Sequence, residues 1–175
     1  MKAEGRRQKA EANKFAFVAL GSNLGNSRRI VLDALARLQT FSAAPILKSS
    51  LWQTLPADCP PDSPKFVNAV AGFVPRKDET PDTLLHKLRE LEREFGRQPK
   101  QILNEPRPLD LDLIVFGNET RNSLELILPH PRAHERKFVL QPLSEVAPDL
   151  ILPRQRKTVS ELLAGLPAGE TVTRL

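Results

Sequence analysis

The chain of 175 residues has no tyrosine, one tryptophan, one methionine and one cysteine. The lone Cys59 cannot close an internal disulfide, which suits a reducing compartment and sets the expectation of a cytoplasmic protein. Neither a cysteine cluster nor a His-x-x-x-His spacing offers a zinc site. No apolar run approaches a bilayer span, so no membrane association is expected. The opening "MKAEGRRQKAEANK" lacks the apolar stretch of a secretory signal, and its two glutamates and low serine content do not suit a transit peptide. Residues 1–14 read as a disordered basic tail and 15–175 as one domain. The tail holds five basic and two acidic residues, so +3 of the net charge of +5 lies there and the remainder is nearly balanced. Aromatics make up 5% and no G-F-x-F run occurs, which weighs against an RNA-binding sheet despite the basic balance, so no nucleic-acid partner is expected. "GSNLGN" lacks the Gly-Lys-Ser/Thr ending of a phosphate-binding loop and the G-x-G-x-x-G of a dinucleotide fold; it reads as a tight strand-to-helix turn.

The remaining pattern is regular. "FAFVALGSN" predicts a buried strand, and "SRRIVLDALARL" a helix with Ile30, Ala34, Leu35 and Leu38 inward. "PILKSSLWQT" predicts a second strand, and "LPADCPPDSP", with four prolines, a loop. "KFVNAVAGFV" predicts a third strand. "TPDTLLHKLRELEREFG" is the clearest helix, with Thr80 as N-cap, Pro81 in the first turn, Gly96 as stop and Leu84, Leu88, Leu91 and Phe95 inward. A second long loop, "RQPKQILNEPR", leads to "LDLDLIVF". A short strand around Leu124–Leu128, a short helix after "HPRAHER" and a small helix at "TVSELLAGL" follow. The order β-α-β-β-α-β predicts a ferredoxin-like α+β fold, an antiparallel sheet with helices on one face and a ligand platform on the other.

Side chains alternate along a strand, so Asp110 and Asp112 share one face while Leu109, Leu111 and Leu113 share the other. Neighbouring carboxylates repel unless a cation or shared proton intervenes. They offer the hard oxygens that Mg²⁺ takes, with phosphates and water as its other ligands. Arg97, Lys100 and Arg107 precede this strand and Arg132, Arg136 and Lys137 follow it, a set suited to a polyphosphate carrying magnesium. His130 suits a phosphate contact or a structural role equally, whereas His86 and His134 are ordinary. Phe66 and Asn68 lie two apart on the third strand and suit a flat heterocycle through stacking and paired hydrogen bonds, although this pattern by itself favours a core Phe beside a strand-edge Asn. Glu92 sits at the margin of its helix's apolar stripe, half-buried or on the surface.

"ALGSNLGN", "FVNAV", "RPLDLDLIVFGN" and "LPHPRAHERKFVLQPLSEVAPDL" together resemble the 6-hydroxymethyl-7,8-dihydropterin pyrophosphokinases of folate biosynthesis, from about Phe15 to beyond Leu152. The resemblance implies a ferredoxin-like α-β-α sandwich, a monomer, and transfer of pyrophosphate from ATP to the pterin's hydroxymethyl group with release of AMP. It implies that Asp110 and Asp112 bind two Mg²⁺ ions and that Arg97 and Arg107 are catalytic loop arginines holding phosphates. By the same resemblance Glu92, His130 and Arg136 contact ATP, and Leu113 and Leu126 line its adenine site. Thr54, Leu55, Phe66, Asn68 and Phe138 match the pterin pocket. The chain departs from the family pattern at Asn104–Glu105, where an aromatic residue and glycine usually precede Pro-Arg, and at Pro131, which replaces a common aromatic. The competing readings are a ferredoxin-like RNA-binding module, a kinase transferring one phosphoryl group and a non-catalytic relative that binds MgATP.

Overall fold

Three long strands carry the structure, a computed structural model that describes residues 14–56, 59–99, 102 and 104–175. They are β1 (Ala16–Ser22), β4 (Phe66–Phe73) and β5 (Asp110–Phe116), with β1 central and antiparallel to both others. The expected second strand is split into β2 (Leu47–Lys48) and β3 (Trp52–Thr54), both pairing with β4. Between them the Ser49 N–H donates to the Val70 carbonyl at 3.0 Å, while the Val70 N–H donates to the Ser49 hydroxyl at 2.9 Å, which interrupts the ladder. A strand not expected from the sequence, β8 (Val172–Arg174), closes the far edge against β3. The sheet order β5-β1-β4-β3-β8 contains the ferredoxin-like arrangement.

Helices α1 (Ser27–Leu38) and α2 (Pro81–Glu94) cover one face. The inward stripe of α1 is Val31, Ala34, Leu35 and Leu38, so Val31 rather than Ile30 heads it; that set keeps the i, i+3, i+4, i+7 spacing and Ile30 falls to its flank. Thr80 caps α2 through a reciprocal pair with Thr83, and Gly96 takes the left-handed conformation at φ +90° just beyond the helix. The expected strand at Leu124–Leu128 is instead a hairpin of β6 (Arg121–Asn122) and β7 (Ile127–Leu128). The Ser123 hydroxyl accepts from the Leu126 N–H at 3.1 Å and turns the chain there, leaving Leu124 fully exposed.

The other face is not open throughout, as element order alone suggested. Helices α3 (Lys137–Val146) and α4 (Val159–Ala164) pack Val139, Leu140, Leu143 and Val159 onto Phe17, Ala19, Val70, Ile114 and Val115. The result is the α-β-α sandwich that the family resemblance implied. The second helical layer covers only part of the sheet, and the candidate site occupies the uncovered part. Residues 1–13 and Lys100 lie outside the described residues, so the tail expectation falls there as well.

Candidate active site

Strand alternation and register together build the site. The α3 face runs Phe17, Ala19, Gly21 along β1; Val70, Asn68, Phe66 along β4; and Ile114, Asp112, Asp110 along β5. Gly21 stands opposite both Asn68 and Asp110, and Ala19 opposite both Val70 and Asp112. Each strand is therefore apolar under the helices and polar where they stop. Gly21 supplies the space between the two polar ends. A Cβ there would lie 3.3 Å from the Asn68 Oδ1 and 3.7 Å from the Phe66 ring. Asn68 donates through Nδ2 to the Thr54 hydroxyl at 2.9 Å, which fixes its amide. The Arg107 guanidinium lies 5.4 Å from the Phe66 ring centroid, and that of Arg136 5.4 Å from the Phe138 centroid.

A cavity of about 250 Å³ opens over this floor. It gathers Thr54, Leu55, Phe66, Asn68, Arg107, Asp110, Asp112, Arg136 and Phe138 from the sequence-derived set. Glu92 and Arg97 stand behind Asp110 rather than on the cavity wall, as an ion cluster described below. Leu113 and Leu126 are buried in the α1/α2 core, on the face away from the aspartates. The His130 N–H donates to the Ile114 carbonyl at 2.8 Å, which seats that loop on β5. Asn104, where the family places an aromatic residue, also lines the cavity and takes the left-handed conformation at φ +55°.

Several contributors were not named from the sequence. Buried Asn23, within "GSNLGN", accepts the Arg107 N–H on Oδ1 at 2.9 Å, donates its own N–H to the Arg107 carbonyl and donates through Nδ2 to Pro64. The supposed simple turn thus anchors both long loops. Gly21 could have been found from its place at the end of the first strand. Glu135 and Glu170 also line the cavity, and no local pattern marks Glu170.

The charges are unevenly satisfied. Arg97 pairs with both Asp110 and Glu92, the latter at 2.5 Å, while Arg107 grips the other Asp110 oxygen at 2.8 Å. Burial pushes the Asp110 carboxyl up, but Arg107 and Arg97 outweigh it and hold the group below its usual range. Asp112 is pushed up to about 6 by burial and by the Asp110 charge. Among the described residues no hydrogen bond or ion pair reaches it. Glu92 is buried and accepts the Leu111 N–H at 2.7 Å, so it is a structural hub rather than a surface acid. Burial lifts it to about 7, because it has only a share of Arg97. Burial, helped by Arg136 and Arg132, lowers His130 to about 4, so the ring is neutral at pH 7. Its Nδ1 accepts the Arg132 N–H at 3.3 Å, which places the ring proton on Nε2 as a donor.

These shifts make a prediction for the protein in metal-free buffer. Glu92 and Asp112 have folded pKa values raised above their ordinary ones and so favour the folded state as they take up protons, whereas His130, lowered to about 4, opposes them below about pH 6.5; the two carboxyls together outweigh the one imidazole. Their ionisation destabilises the fold, and stability is expected to rise as pH falls from about 8 to about 5. Urea unfolding in EDTA at both pH values checks this; a lower midpoint at pH 5 would contradict it.

The carboxylates also fit magnesium. Among the described residues no group of three or more His, Cys, Asp or Glu side chains could hold a metal. The chain supplies two hard carboxylates, one of them half-buried without a partner among the described residues, and leaves the remaining positions to phosphate and water, as Mg²⁺ prefers.

Comparison with known proteins shows the family and the fold. The family model described as 7,8-dihydro-6-hydroxymethylpterin-pyrophosphokinase matches residues 17–148. The folic acid synthesis protein fol1 of Pneumocystis carinii is 39% identical over 141 residues, covering 81% of this chain but 18% of that protein. The 2-amino-4-hydroxy-6-hydroxymethyldihydropteridine pyrophosphokinase of Pseudomonas aeruginosa is 40% identical over 154 residues, covering 86% of this chain and 91% of that one. The wild-type HPPK-DHPS of Plasmodium falciparum, solved with pteroate, superposes with a TM-score of 0.64 at 12% identity, over 86% of this chain and 44% of that one. This chain thus spans only a fraction of the fungal and Plasmodium proteins and nearly all of the bacterial one, and it belongs to the 7,8-dihydro-6-hydroxymethylpterin-pyrophosphokinase family.

Proposed function

We propose that this chain transfers the pyrophosphoryl group of MgATP to the hydroxymethyl group of 6-hydroxymethyl-7,8-dihydropterin, releasing AMP, as a step of folate biosynthesis. The observation that carries the reading is the Asn68–Gly21–Asp110 row. Neighbouring strands lie about 4.8 Å apart, so an amide and aromatic end faces a carboxylate and arginine end across about 10 Å of floor without a side chain between. A flat pterin fits the first end and a triphosphate the second.

In this reading Thr54, Leu55, Phe66, Asn68 and Phe138 bind the pterin. Asp110 and Asp112 hold magnesium, as two ions, and Arg97, Arg107, Arg136 and His130 take the phosphates. Bound magnesium would neutralise the triphosphate and the departing phosphate of AMP. The pterin hydroxyl oxygen bonds to the β-phosphorus as the bond from that phosphorus to the α–β bridging oxygen breaks. A carboxylate oxygen of Asp112 not engaged by the metal would ease loss of the hydroxyl proton. The arginines stabilise the equatorial oxygens, and neutral His130 donates without adding charge. Glu92 acts behind the ATP site by holding Arg97. Residues 15–175 serve as one domain that acts as a monomer. No helix among the described residues is long and apolar enough to cross a membrane, and a cytoplasmic site of action accords with the lone Cys59.

The test is product analysis with 6-hydroxymethyl-7,8-dihydropterin, ATP and MgCl₂, separating nucleotides by chromatography. AMP is expected in step with a pyrophosphorylated pterin. ADP in its place would mean single phosphoryl transfer, and no turnover at all would overturn the reading.

A further inference from the structure

Two carboxylates on the cavity wall, Glu135 and Glu170, have no part in this chemistry, and the second is tied into the fold. Glu170 comes from the C-terminal segment, just before β8, and lines the cavity. Its Oε2 accepts the Lys137 N–H at 3.1 Å and its Oε1 accepts the Phe138 N–H at 3.2 Å. Its backbone carbonyl accepts from the Lys137 Nζ at 3.2 Å. The first turn of α3 has no cap from its own N-terminal side, because Arg136 in the capping position makes no side-chain cap bond. A helix start leaves its first N–H groups unpaired and favours a negative charge there. Glu170 meets both needs from more than thirty residues away.

The same segment grips the opposite wall. Two residues after Glu170, Val172 pairs with Thr54, the residue whose hydroxyl fixes the Asn68 amide. A short stretch of chain therefore ties the helix that carries Phe138 to the strand that carries Thr54. We propose that Glu170 is a positioning residue for the pterin end of the site, acting by fixing the first turn of α3 and with it the Phe138 ring. It holds Phe138 through the backbone and touches no reacting atom. This inference rests on the proposed pterin pyrophosphokinase reaction.

The experiment is steady-state kinetics of the full chain and its Glu170→Ala and Glu170→Gln variants, with pterin binding followed by calorimetry. Glu170→Ala is expected to raise the KM for the pterin about tenfold, a usual scale for losing a two-bond helix cap, while the KM for ATP moves less than about twofold. Glu170→Gln keeps one acceptor and should fall in between, at about threefold. A merely structural role would lower thermal stability without splitting the two constants. Equal rises in both constants, or an unchanged pterin KM, would overturn the proposal; if the alanine variant fails to fold, the glutamine variant decides on the same criterion. Wild-type protein that neither binds nor turns over the pterin would take down the underlying reading and this inference with it. Wild-type binding matched by Glu170→Ala would take down this inference alone.

Discussion

Asp112→Ala is expected to lower turnover by about a thousandfold or more while leaving the fold at least as stable as wild type in metal-free buffer. Both halves follow from the same local chemistry. Asp112 is half-buried beside Asp110, and no hydrogen bond or ion pair among the described residues offsets its charge. A carboxylate so placed costs stability when ionised, because burial and the neighbouring charge both disfavour the anion. Its folded pKa of about 6 lies above its ordinary value, so that cost is fully present at pH 8 and disappears below about pH 4. Removing the group should raise the urea midpoint in EDTA at pH 8 and leave it unchanged near pH 4. Asp110 behaves oppositely, since Arg97 and Arg107 satisfy both its oxygens and its loss breaks two ion pairs. Calorimetry with MgATP supplies a second readout, in which Asp112→Ala should lose the magnesium-dependent part of ATP affinity. Near-wild-type turnover, or a loss of stability at pH 8, would remove Asp112 from the metal site.

Much of this site was legible in the sequence because strand alternation is a strict rule. The period of two puts Asp110 with Asp112 and Phe66 with Asn68 on common faces, and the register then places both pairs on the same one. Helix α2 was equally plain, since Thr80, Pro81 and Gly96 mark its ends and its leucines keep one stripe. What the sequence concealed came from long-range pairing. No local signal says that Asn23 fixes Arg107, 84 residues away, or that a C-terminal carboxylate caps α3. Nor does local pattern reveal that α3 and α4 cover the sheet's second face only in part. Glu92 was ambiguous for a related reason: a charge at the edge of an apolar stripe is buried only if a partner reaches it, and Arg97 does so from beyond the helix end. The hairpin at Arg121–Leu128 misled because Leu124, Leu126 and Leu128 alternate like a strand, while the Ser123 hydroxyl turns the backbone at that point.

Arg97→Ala is expected to reduce turnover by about a hundredfold and to destabilise the fold by about 2 kcal/mol near pH 8. Arg97 and Glu92 are mostly buried, with side chains 16% and 11% exposed, and among the described residues Glu92 has no other cationic partner at ion-pair distance. Removing the guanidinium leaves Asp110 with Arg107 but leaves the Glu92 carboxylate buried and uncompensated. Glu92 already binds its proton up to about pH 7, and loss of Arg97 should raise that value further. The variant can therefore neutralise Glu92 by protonation, so its destabilisation should shrink at pH 6 and grow through pH 8. Adding Glu92→Gln removes the buried charge while its side-chain oxygen can still accept from the Leu111 N–H. The double variant should recover most of the stability lost at pH 8 and none of the turnover if Arg97 takes a phosphate as proposed. A destabilisation independent of pH would show that Glu92 does not depend on Arg97 for its charge. A double variant as active as Glu92→Gln alone would show that Arg97 serves the fold and not the reaction.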